Sequence, residues 1–315
     1  MDCIRRAVID VGTNSVKLLV AGVAGNQVTP VLEESHQTRL GKDFYETRIL
    51  QPAAIARTAR AVAELAGQAR ELAAVSIRVI ATSAAREAKN PGDLTAAIHA
   101  AAGLPTEIIS GEQEADWSFQ GVSTEARFAG DSLLILDVGG GSTEFILGRD
   151  RHRLLARSFP LGTVRQLETF PLSNPPTAVE AAASRDRLQA YLRQEVQPHL
   201  AALLHSEALP GPLQLVGTGG TTSLLGRMEL QLASFDRDAI EGVQLSLNRL
   251  RTLRDLLWSL SLEQRQQLPG LPANRADVIL TGVAIYTAVM EVFKISQLRI
   301  STRGLRFAAL LDVHS

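Results

Sequence analysis

The chain has 315 residues, more than one hydrophobic core usually organises, so two domains are expected. Hydrophobic residues make up 45% of the sequence and charged residues 21%, a composition typical of globular proteins rather than of fibrous or disordered ones. The formal net charge of −1 argues against a generally basic surface that coats nucleic acid, but it does not exclude a locally positive cleft.

The single cysteine and the N-terminal pattern indicate the compartment. Cys3 has no partner for an intrachain disulfide, which fits a reducing environment. The N-terminus runs directly into a strand pattern without the layout of a signal peptide, and the longest apolar stretches are too short to span a bilayer. We therefore expect a cytoplasmic protein without membrane or nucleic-acid partners, and we leave a homodimer open.

Strand and helix patterns alternate through the first half of the chain. Apolar alternation and apolar runs predict the strands, and 3.6-residue periodicity with cap residues predicts the helices. The predicted elements are two strands around a Gly-rich turn at 9–20, a strand at 28–34, a helix at 53–72, a strand at 75–82, a helix from Ser83, a helix capped by Asn90, a strand at 106–110 and a helix from Gly111.

The second half begins as the first does. Residues 9–20 align without gaps on 136–147, so that Asp10 matches Asp137 and the offset is 127 throughout. An acid, a glycine and a serine in register over twelve positions favour a duplicated domain over two unrelated glycine hairpins. The further predicted elements are strands at 153–159, 213–216 and 297–301, and helices at 179–204, 276–293 and 305–311.

This alternation of strands and helices predicts an α/β fold with helices covering parallel or mixed sheets. We expect two duplicated domains that face a central cleft. The first covers 1–129, joined by the C-terminal helix 304–315, and the second covers 130–303.

Three loops rich in glycine, serine and threonine suit a phosphorylated ligand. Glycine lets backbone amides approach phosphate oxygens, and hydroxyl groups add donors. The third loop also opens a helix, whose positive end favours an anion. One such loop is ordinary turn chemistry, but three in one chain favour phosphate binding, and none has Walker A or Rossmann spacing. The predicted phosphate-binding residues are Gly12, Thr13, Asn14, Ser15, Gly139, Gly140, Gly141, Ser142, Thr143, Gly217, Thr218, Gly219, Gly220 and Thr221.

Acidic residues flank the duplicated loops. Asp10 and Asp137 each end an apolar strand, where an acid either caps the hairpin or holds a divalent cation beside phosphates; the duplication favours the cation. Glu144 lies two residues after Ser142, on the same side of a strand, so contact with a metal or water is favoured over surface solvation.

These motifs resemble the exopolyphosphatase/guanosine pentaphosphate phosphohydrolase (Ppx/GppA) family, in a short two-domain form. The resemblance runs over nearly the whole chain and implies two ribonuclease H-like domains of the actin, sugar kinase and Hsp70 superfamily. The motifs are IDVGTNSVKLLV at 9–20, ATSAAREAKN at 81–90, IISGEQEA at 108–115, LDVGGGSTEFILG at 136–148, VGTGGTTSLL at 216–225 and STRGLRFAALL at 301–311.

The resemblance also assigns roles to the acids. By position alone, Glu112 and Glu114 do no more than complement the dipole of the helix that they open. The resemblance implies that Glu114 is instead the general base for the attacking water, while Glu112 keeps the dipole role. It also implies that Asp137 and Glu144 hold Mg²⁺ or Mn²⁺, with Asp10 close by.

The chain departs from the family in its closing motif. Phe307 and Ala308 replace the acidic residue and the glycine that this motif usually has, so no role is carried over to that helix. No His-Asp pair of the extra helical region of longer members occurs in the sequence. Asn90 lies in a motif that the resemblance places beside the cleft.

Lysine is rare in this chain. Three of the four lysines, Lys17, Lys42 and Lys89, lie in or beside the N-terminal motifs. Surface solvation is the ordinary role of lysine. With Arg39, these lysines are predicted to form a positive wall for a polyanion despite the near-neutral net charge. Arg86, in the same stretch as Lys89, is predicted to contact substrate.

The predicted activity is in-line attack by water on the terminal phosphoryl group of inorganic polyphosphate. An alternative within the family is hydrolysis of guanosine pentaphosphate, which belongs to the stringent response; no guanosine pocket is recognised, and the short chain favours polyphosphate. A kinase or ATPase of the same superfamily is a more distant alternative, disfavoured by Glu114 and Glu144. A catalytically silent binder is disfavoured by the intact acids.

Overall fold

A computed structural model describes residues 3–204 and 206–312, which form two compact units. The first contains the residues up to Thr124 and those from Arg303, and the second contains Glu125–Thr302. The first unit has β1 (Ile4–Val11), β2 (Ser15–Ala24), β3 (Gln27–Gln37), α1 (Pro52–Glu71), β4 (Ser76–Ala81), α2 (Ser83–Glu87), α3 (Pro91–Ala102), β5 (Thr106–Ile108) and α4 (Gly111–Val122).

The second unit follows, and the last helix returns to the first. Short 3₁₀ turns lie at Ala126–Phe128 and Ala273–Arg275. The elements are β6 (Ser132–Val138), β7 (Thr143–Arg149), β8 (His152–Phe159), α5 (Thr163–Thr169), α6 (Ala178–Tyr191), α7 (Gln197–Leu204), β9 (Leu213–Thr218), α8 (Gly219–Glu229), α9 (Arg237–Ile240), β10 (Gln244–Ser246), α10 (Leu247–Ser259), α11 (Leu262–Arg265), α12 (Ile279–Val292), β11 (Gln297–Ile300) and α13 (Leu305–Leu311).

The two sheets share one topology. The first has the order β3-β2-β1-β4-β5, with β1 to β3 antiparallel and with β4 and β5 parallel to β1. The second has the order β10-β11-β9-β6-β7-β8, in which β6 to β8 take the places of β1 to β3, and β9 and β11 those of β4 and β5. The short β10 is added antiparallel at the edge.

The duplication extends to irregularities of the strands. The β2–β3 ladder shifts register between residues 20 and 21, and the β7–β8 ladder does so between residues 147 and 148. These positions keep the sequence offset of the two hairpin loops, 12–15 and 139–142. A bulge at one position in both sheets is a local feature that unrelated hairpins would not share. The predicted α/β class and the duplication are confirmed.

Alternating side chains of the first sheet supply two cores. Ile9 and Val11 pack with helices α1 and α3 on one side, while Val8 packs with Trp117 of α4 and Phe307 of α13 on the other. Period-two alternation along β1 therefore buries both faces of the strand, and this explains its apolar sequence.

The second unit has one large core, and five of its elements, α5, α9, α10, α11 and β10, were not predicted. Helix α10 buries Leu250, Leu253 and Leu257, and the Ser246 hydroxyl caps it by accepting from the Arg249 amide. That 3.6-residue spacing after a serine is a signal that the sequence does contain. Strand β10 has three residues, too few for a periodic signal.

The long helix predicted at 179–204 is interrupted by a wider turn. A π-helical turn at Leu192–Val196 joins α6 to α7. Pro198 lies just beyond this turn; it has no amide to donate to the preceding turn, and its ring crowds that turn. The wider turn lets the helix continue past the proline.

Helices α4 and α13 cross at two glycines. A Cβ on Gly121 would lie 2.2 Å from the Gly304 carbonyl oxygen, so the two backbones approach more closely than any side chain would permit. Phe307 and Ala308, the two departures from the closing motif, are buried in the core that this crossing closes. An apolar pair in this place therefore serves packing.

We expect Gly121→Ala to lower the free energy of unfolding by about 1–3 kcal/mol, the usual cost of overpacking. Gly67→Ala in α1 is the matched control, because its added Cβ would meet nothing within 4 Å. It should raise stability by up to about 1 kcal/mol, the difference in helix propensity. Denaturant midpoints followed by circular dichroism measure both effects. Equal shifts of the same sign would contradict the close crossing.

Candidate active site

The two predicted hairpin loops form the same turn. In the first unit the Gly12 amide donates to the Ser15 carbonyl at 3.0 Å, and in the second the Gly139 amide donates to the Ser142 carbonyl at 2.9 Å. Each glycine approaches that carbonyl closely, since an added Cβ would lie 3.2 Å from it at Gly12 and 3.1 Å at Gly139. The aligned glycines therefore perform the same local function.

Carbonyl groups of the first loop are anchored by the chain that follows β3. The Gly41 amide donates to the Thr13 carbonyl at 2.7 Å, and the Arg39 amide donates to the Asn14 carbonyl at 2.9 Å. The amides of Thr13 and Asn14 make no backbone hydrogen bond within residues 3–204 and 206–312. They are the groups of this loop that can donate to an anion.

The second loop is anchored in the same way by α5. The Val164 amide donates to the Gly140 carbonyl at 2.9 Å, and the buried Arg165 Nε donates to the Gly141 carbonyl at 2.7 Å. The amides of Gly140 and Gly141 make no backbone hydrogen bond in the part of the chain that the structure describes. Both hairpins therefore fix their acceptors and keep amide donors.

The third loop lies against the second hairpin. The predicted order of strand, loop and helix is confirmed, but β9 continues to Thr218, beyond its predicted end at 216, and α8 begins at Gly219, within the predicted loop. Gly219 has a φ of +83°, and a Cβ there would lie 2.1 Å from Asp137 Oδ1. The Thr221 hydroxyl donates to the Val138 carbonyl at 2.7 Å. A helix N-terminus, a carboxylate and a glycine hairpin thus meet at one end of the second sheet.

Two further predicted phosphate-binding residues, Gly217 and Thr143, contact other residues of the protein. Gly217 lies within β9, where a Cβ would crowd Thr222. Thr143 is fully buried, and its hydroxyl donates to the Leu161 carbonyl. Gly220 lies in the first turn of α8, where amide groups of a helix are available to anions.

A row of polar side chains crosses the second sheet. Asp137 of β6 is paired with Glu144 of β7, which is paired in turn with Ser158 of β8. Glu144 is only 1% exposed, and its Oε1 accepts hydrogen bonds from the hydroxyls of Ser142 at 2.8 Å and Ser158 at 2.7 Å. The two predicted metal ligands are therefore cross-strand neighbours.

The equivalent row in the first sheet carries a cation. Asp10 is paired with Lys17, which is paired with Ser35, and Lys17 Nζ lies 4.0 Å from Asp10 Oδ2. Burial raises the pKa of the Asp10 carboxyl, and the charges of Lys17 and Arg306 act in the opposite direction. Lysine thus stands where the duplicate has Glu144.

Several buried oxygens near the first loop are without partners. Asp10 Oδ1, Thr13 Oγ1 and Thr38 Oγ1 have no hydrogen-bond partner among the described residues. The Thr38 amide donates to the Asn14 carbonyl, so this threonine adjoins the loop. Buried polar atoms in native proteins are usually hydrogen-bonded, and a group of exceptions is typical of a place for water or ligand.

The two acids at the start of α4 have different environments. Glu112 is exposed, whereas Glu114 is buried and its Oε2 lies 3.1 Å from Arg86 Nη1. The same Nη1 donates to the Ile109 carbonyl at 2.9 Å, which fixes the guanidinium at the ends of β5 and α2. An ion pair favours the carboxylate form, which is the form that accepts a proton.

Residues of the predicted positive wall differ in exposure. Arg39 and Lys42 are exposed and flank Gly41, the residue bonded to the first loop. Lys89 is also exposed, and its amide donates to the Arg48 carbonyl at 2.8 Å. Lys17 is half-buried beside Asp10. Three of the four cations are therefore accessible to solvent.

Asn90 has a different role from the predicted one. It occupies the N-cap position of α3, but its side chain makes no capping hydrogen bond. Instead, Oδ1 accepts from the Leu50 amide at 2.9 Å and Nδ2 donates to the Leu50 carbonyl at 3.1 Å. The prediction of a side-chain cap is therefore wrong. The side-chain amide of Asn90 instead binds Leu50, in the segment before α1. Its oxygen accepts from the N–H of Leu50 and its nitrogen donates to the C=O of Leu50.

The donor set fits a hard divalent cation in the second unit. Asp137 and Glu144 supply carboxylate oxygens side by side, and Mg²⁺ is usually bound by one or two carboxylates together with substrate phosphates. Within residues 3–204 and 206–312, no group of three or more His, Cys, Asp or Glu side chains is arranged to hold a metal. Asp10 lies in the first unit beside Lys17.

Three residues of this region were missed from the sequence. Ser158 and Arg165 contact Glu144 and the second loop, as described. Arg306 donates to the Leu18 carbonyl at 2.6 Å and to Glu33 Oε2 at 3.2 Å. Parity along β8 could have shown Ser158, because it aligns with the polar row, but no local signal distinguishes Arg165 or Arg306 from surface arginines.

Comparison with known proteins identifies the family. The model of the Ppx/GppA phosphatase family matches residues 19–314. Exopolyphosphatase 2 of Mycobacterium tuberculosis is 34% identical over 295 residues, which cover 89% of this chain and 88% of that protein. The chain belongs to the Ppx/GppA phosphatase family. This membership confirms the predicted resemblance and the prediction of an enzyme that hydrolyses phosphoanhydrides.

Solved structures of the Ppx/GppA family agree with the fold. The crystal structure of an exopolyphosphatase from Cytophaga hutchinsonii has a TM-score of 0.86 at 25% identity, and covers 97% of this chain and 96% of its own. The Aquifex aeolicus family member has a TM-score of 0.77 at 28% identity, over 98% and 97% of the two chains. None of the described helices is long and apolar enough to cross a membrane.

Proposed function

We propose that this family member is an exopolyphosphatase, which removes the terminal phosphate from inorganic polyphosphate. The observation that carries the proposal is the pair of hairpin loops whose carbonyls are anchored internally while amides of Thr13, Asn14, Gly140 and Gly141 remain available as donors. Such amides suit a ligand with many phosphate oxygens. The name of the M. tuberculosis relative supports the same substrate.

The proposed reaction is attack by water on the terminal phosphorus. Glu114 accepts a proton from the attacking water, and Arg86 holds its carboxylate in place. The bond from phosphorus to the bridging oxygen breaks, which gives orthophosphate and a polyphosphate one unit shorter. Loop amides stabilise charge on the phosphoryl oxygens, so that positioning and electrostatics provide most of the catalysis.

A divalent ion completes the proposal. Asp137 and Glu144 would hold Mg²⁺ or Mn²⁺, which supplies positive charge to the phosphate oxygens when it is bound. Asp10 stays a predicted neighbour of that ion.

Phosphate release, followed by the malachite-green reaction, tests the proposed substrate. Long-chain polyphosphate and guanosine pentaphosphate are supplied side by side at equal concentrations of hydrolysable terminal phosphate. Faster release from polyphosphate supports the proposal. Release from guanosine pentaphosphate alone would replace it by the alarmone phosphohydrolase, and release from neither would refute both.

Glu114→Gln tests the general base. The substitution keeps the shape of the side chain but cannot accept a proton, so we expect kcat to fall by about 10²–10⁴-fold. KM for polyphosphate should change little, since removing a negative charge does not weaken the binding of a polyanion. Phosphate-release kinetics measure both constants.

Glu112→Gln is the control for this variant. It removes the same first-turn charge from α4, but its side chain is exposed. Loss of a dipole contact costs only about 0.3–1 kcal/mol of stability, and kcat should stay near wild type. Similar small losses in both variants would show that Glu114 is not the base.

Asp137→Asn tests the divalent ion. We expect the variant to need more Mg²⁺ for half-maximal activity and to have a lower maximal rate, because a charged ligand is lost. A Mg²⁺ titration of phosphate release gives both quantities. Wild-type protein that keeps full activity in EDTA after dialysis would remove the metal from the mechanism.

Replacing Lys42 and Lys89 together with alanine tests the positive wall. KM should rise more for long polyphosphate than for triphosphate, because the lost contacts lie along the chain rather than at its end. Added salt should have the same effect on the wild-type protein by screening the attraction. Equal effects on the short and long substrates would locate the wall elsewhere.

A further inference from the structure

Two hydroxyl groups donate to the same oxygen of Glu144. Ser142 from the second loop and Ser158 from β8 donate to Oε1 at 2.8 and 2.7 Å. Ser142 lies just before β7, the strand that carries Glu144, and Ser158 lies on the neighbouring strand β8. Two hydrogen bonds, one from the second loop and one from β8, orient the plane of the buried carboxylate.

This arrangement restricts how Glu144 can bind a cation. Because Oε1 accepts two hydroxyl protons, coordination through both oxygens would require the loss of those hydrogen bonds. Ca²⁺ often takes carboxylates through both oxygens within a shell of six to eight ligands, whereas Mg²⁺ needs a compact octahedron of six. A carboxylate limited to one oxygen therefore suits the smaller ion.

We propose that Ser158 is a positioning residue that holds Glu144 for coordination through Oε2 alone and thereby favours Mg²⁺ over Ca²⁺. The inference rests on the proposed function, in which Glu144 is a metal ligand. Partners that orient a metal ligand typically change metal affinity 10–100-fold when they are removed. Ser142 also donates to Oε1, but it belongs to the second loop, so a change at Ser142 would alter both the carboxylate and the loop. Ser158 lies outside that loop and is therefore the residue to substitute.

The duplication provides a matched control. Ser35 of β3 occupies the position of Ser158, but its cross-strand neighbour is Lys17 instead of an acid. Ser35→Ala therefore removes the same atom from the corresponding place of the first sheet, where the cross-strand neighbour is a lysine. Ser158→Thr keeps the hydroxyl and serves as the conservative variant.

Competition against Mn²⁺, followed by electron paramagnetic resonance of the full chain without substrate, measures the preference directly. Mg²⁺ or Ca²⁺ is titrated against bound Mn²⁺ in wild type, Ser158→Ala, Ser158→Thr and Ser35→Ala. We expect the ratio of Ca²⁺ to Mg²⁺ needed for half displacement to fall at least about tenfold in Ser158→Ala. The Thr and Ser35 variants should keep the wild-type ratio, and circular dichroism confirms that each variant is folded.

A ratio in Ser158→Ala equal to that in Ser35→Ala would overturn the inference, and so would wild-type protein that binds no Mn²⁺. If Ser158→Ala does not fold, Ser158→Cys replaces it, because a thiol is only a weak donor. The ratio of Ca²⁺ to Mg²⁺ in Ser158→Cys is then compared with the ratio in Ser158→Thr. Failure of the proposed function would be seen separately, as no phosphate release from polyphosphate by the wild-type protein.

Discussion

The hydrogen bond that closes each hairpin is the constraint on which the site depends. Gly12 or Gly139 donates to the serine carbonyl three residues later, and in the planar trans peptides of the loop each C=O points away from the N–H of the same unit. Neighbouring segments take up the carbonyls, through Gly41 in one unit and Arg165 in the other. What remains is a short run of backbone donors, fixed before any ligand arrives, and such donors cost no reorganisation when charge develops.

Duplication supplied two copies of this turn, and the residue two positions after the serine differs in charge between them. Both sheets place an aspartate at the end of the central strand, but its cross-strand neighbour is Lys17 in the first and Glu144 in the second. A carboxylate beside a lysine is neutralised as a pair, whereas two adjacent carboxylates repel each other unless a cation joins them. The two hairpins thus have the same closing hydrogen bond but differ in the charge of the residue beside the aspartate.

The sequence was informative where local pattern decides structure. Most strands, the three glycine loops and the longer helices follow from alternation, turn residues and helix periodicity, all of which act over a few residues. The resemblance added the proposed role of Glu114 as general base, which position in a first turn does not distinguish from that of Glu112. Arg165 and Ser158 were not predicted because their partners lie in other segments of the chain. The π-helical turn before Pro198 was not predicted because an apolar helical pattern does not show how wide each turn of the helix is.

Two glycines beside the second loop mark places where another group occupies the position of a side chain. At Gly219 that group is the Asp137 carboxylate, and at Gly162 it is the backbone of residues 140 and 141. Any side chain at Gly219 would displace the acid from the N-terminus of α8, and one at Gly162 would push the second loop away from α5. Neighbours packed against these loops therefore fix their shape, and the glycines that appear to give flexibility instead permit close packing.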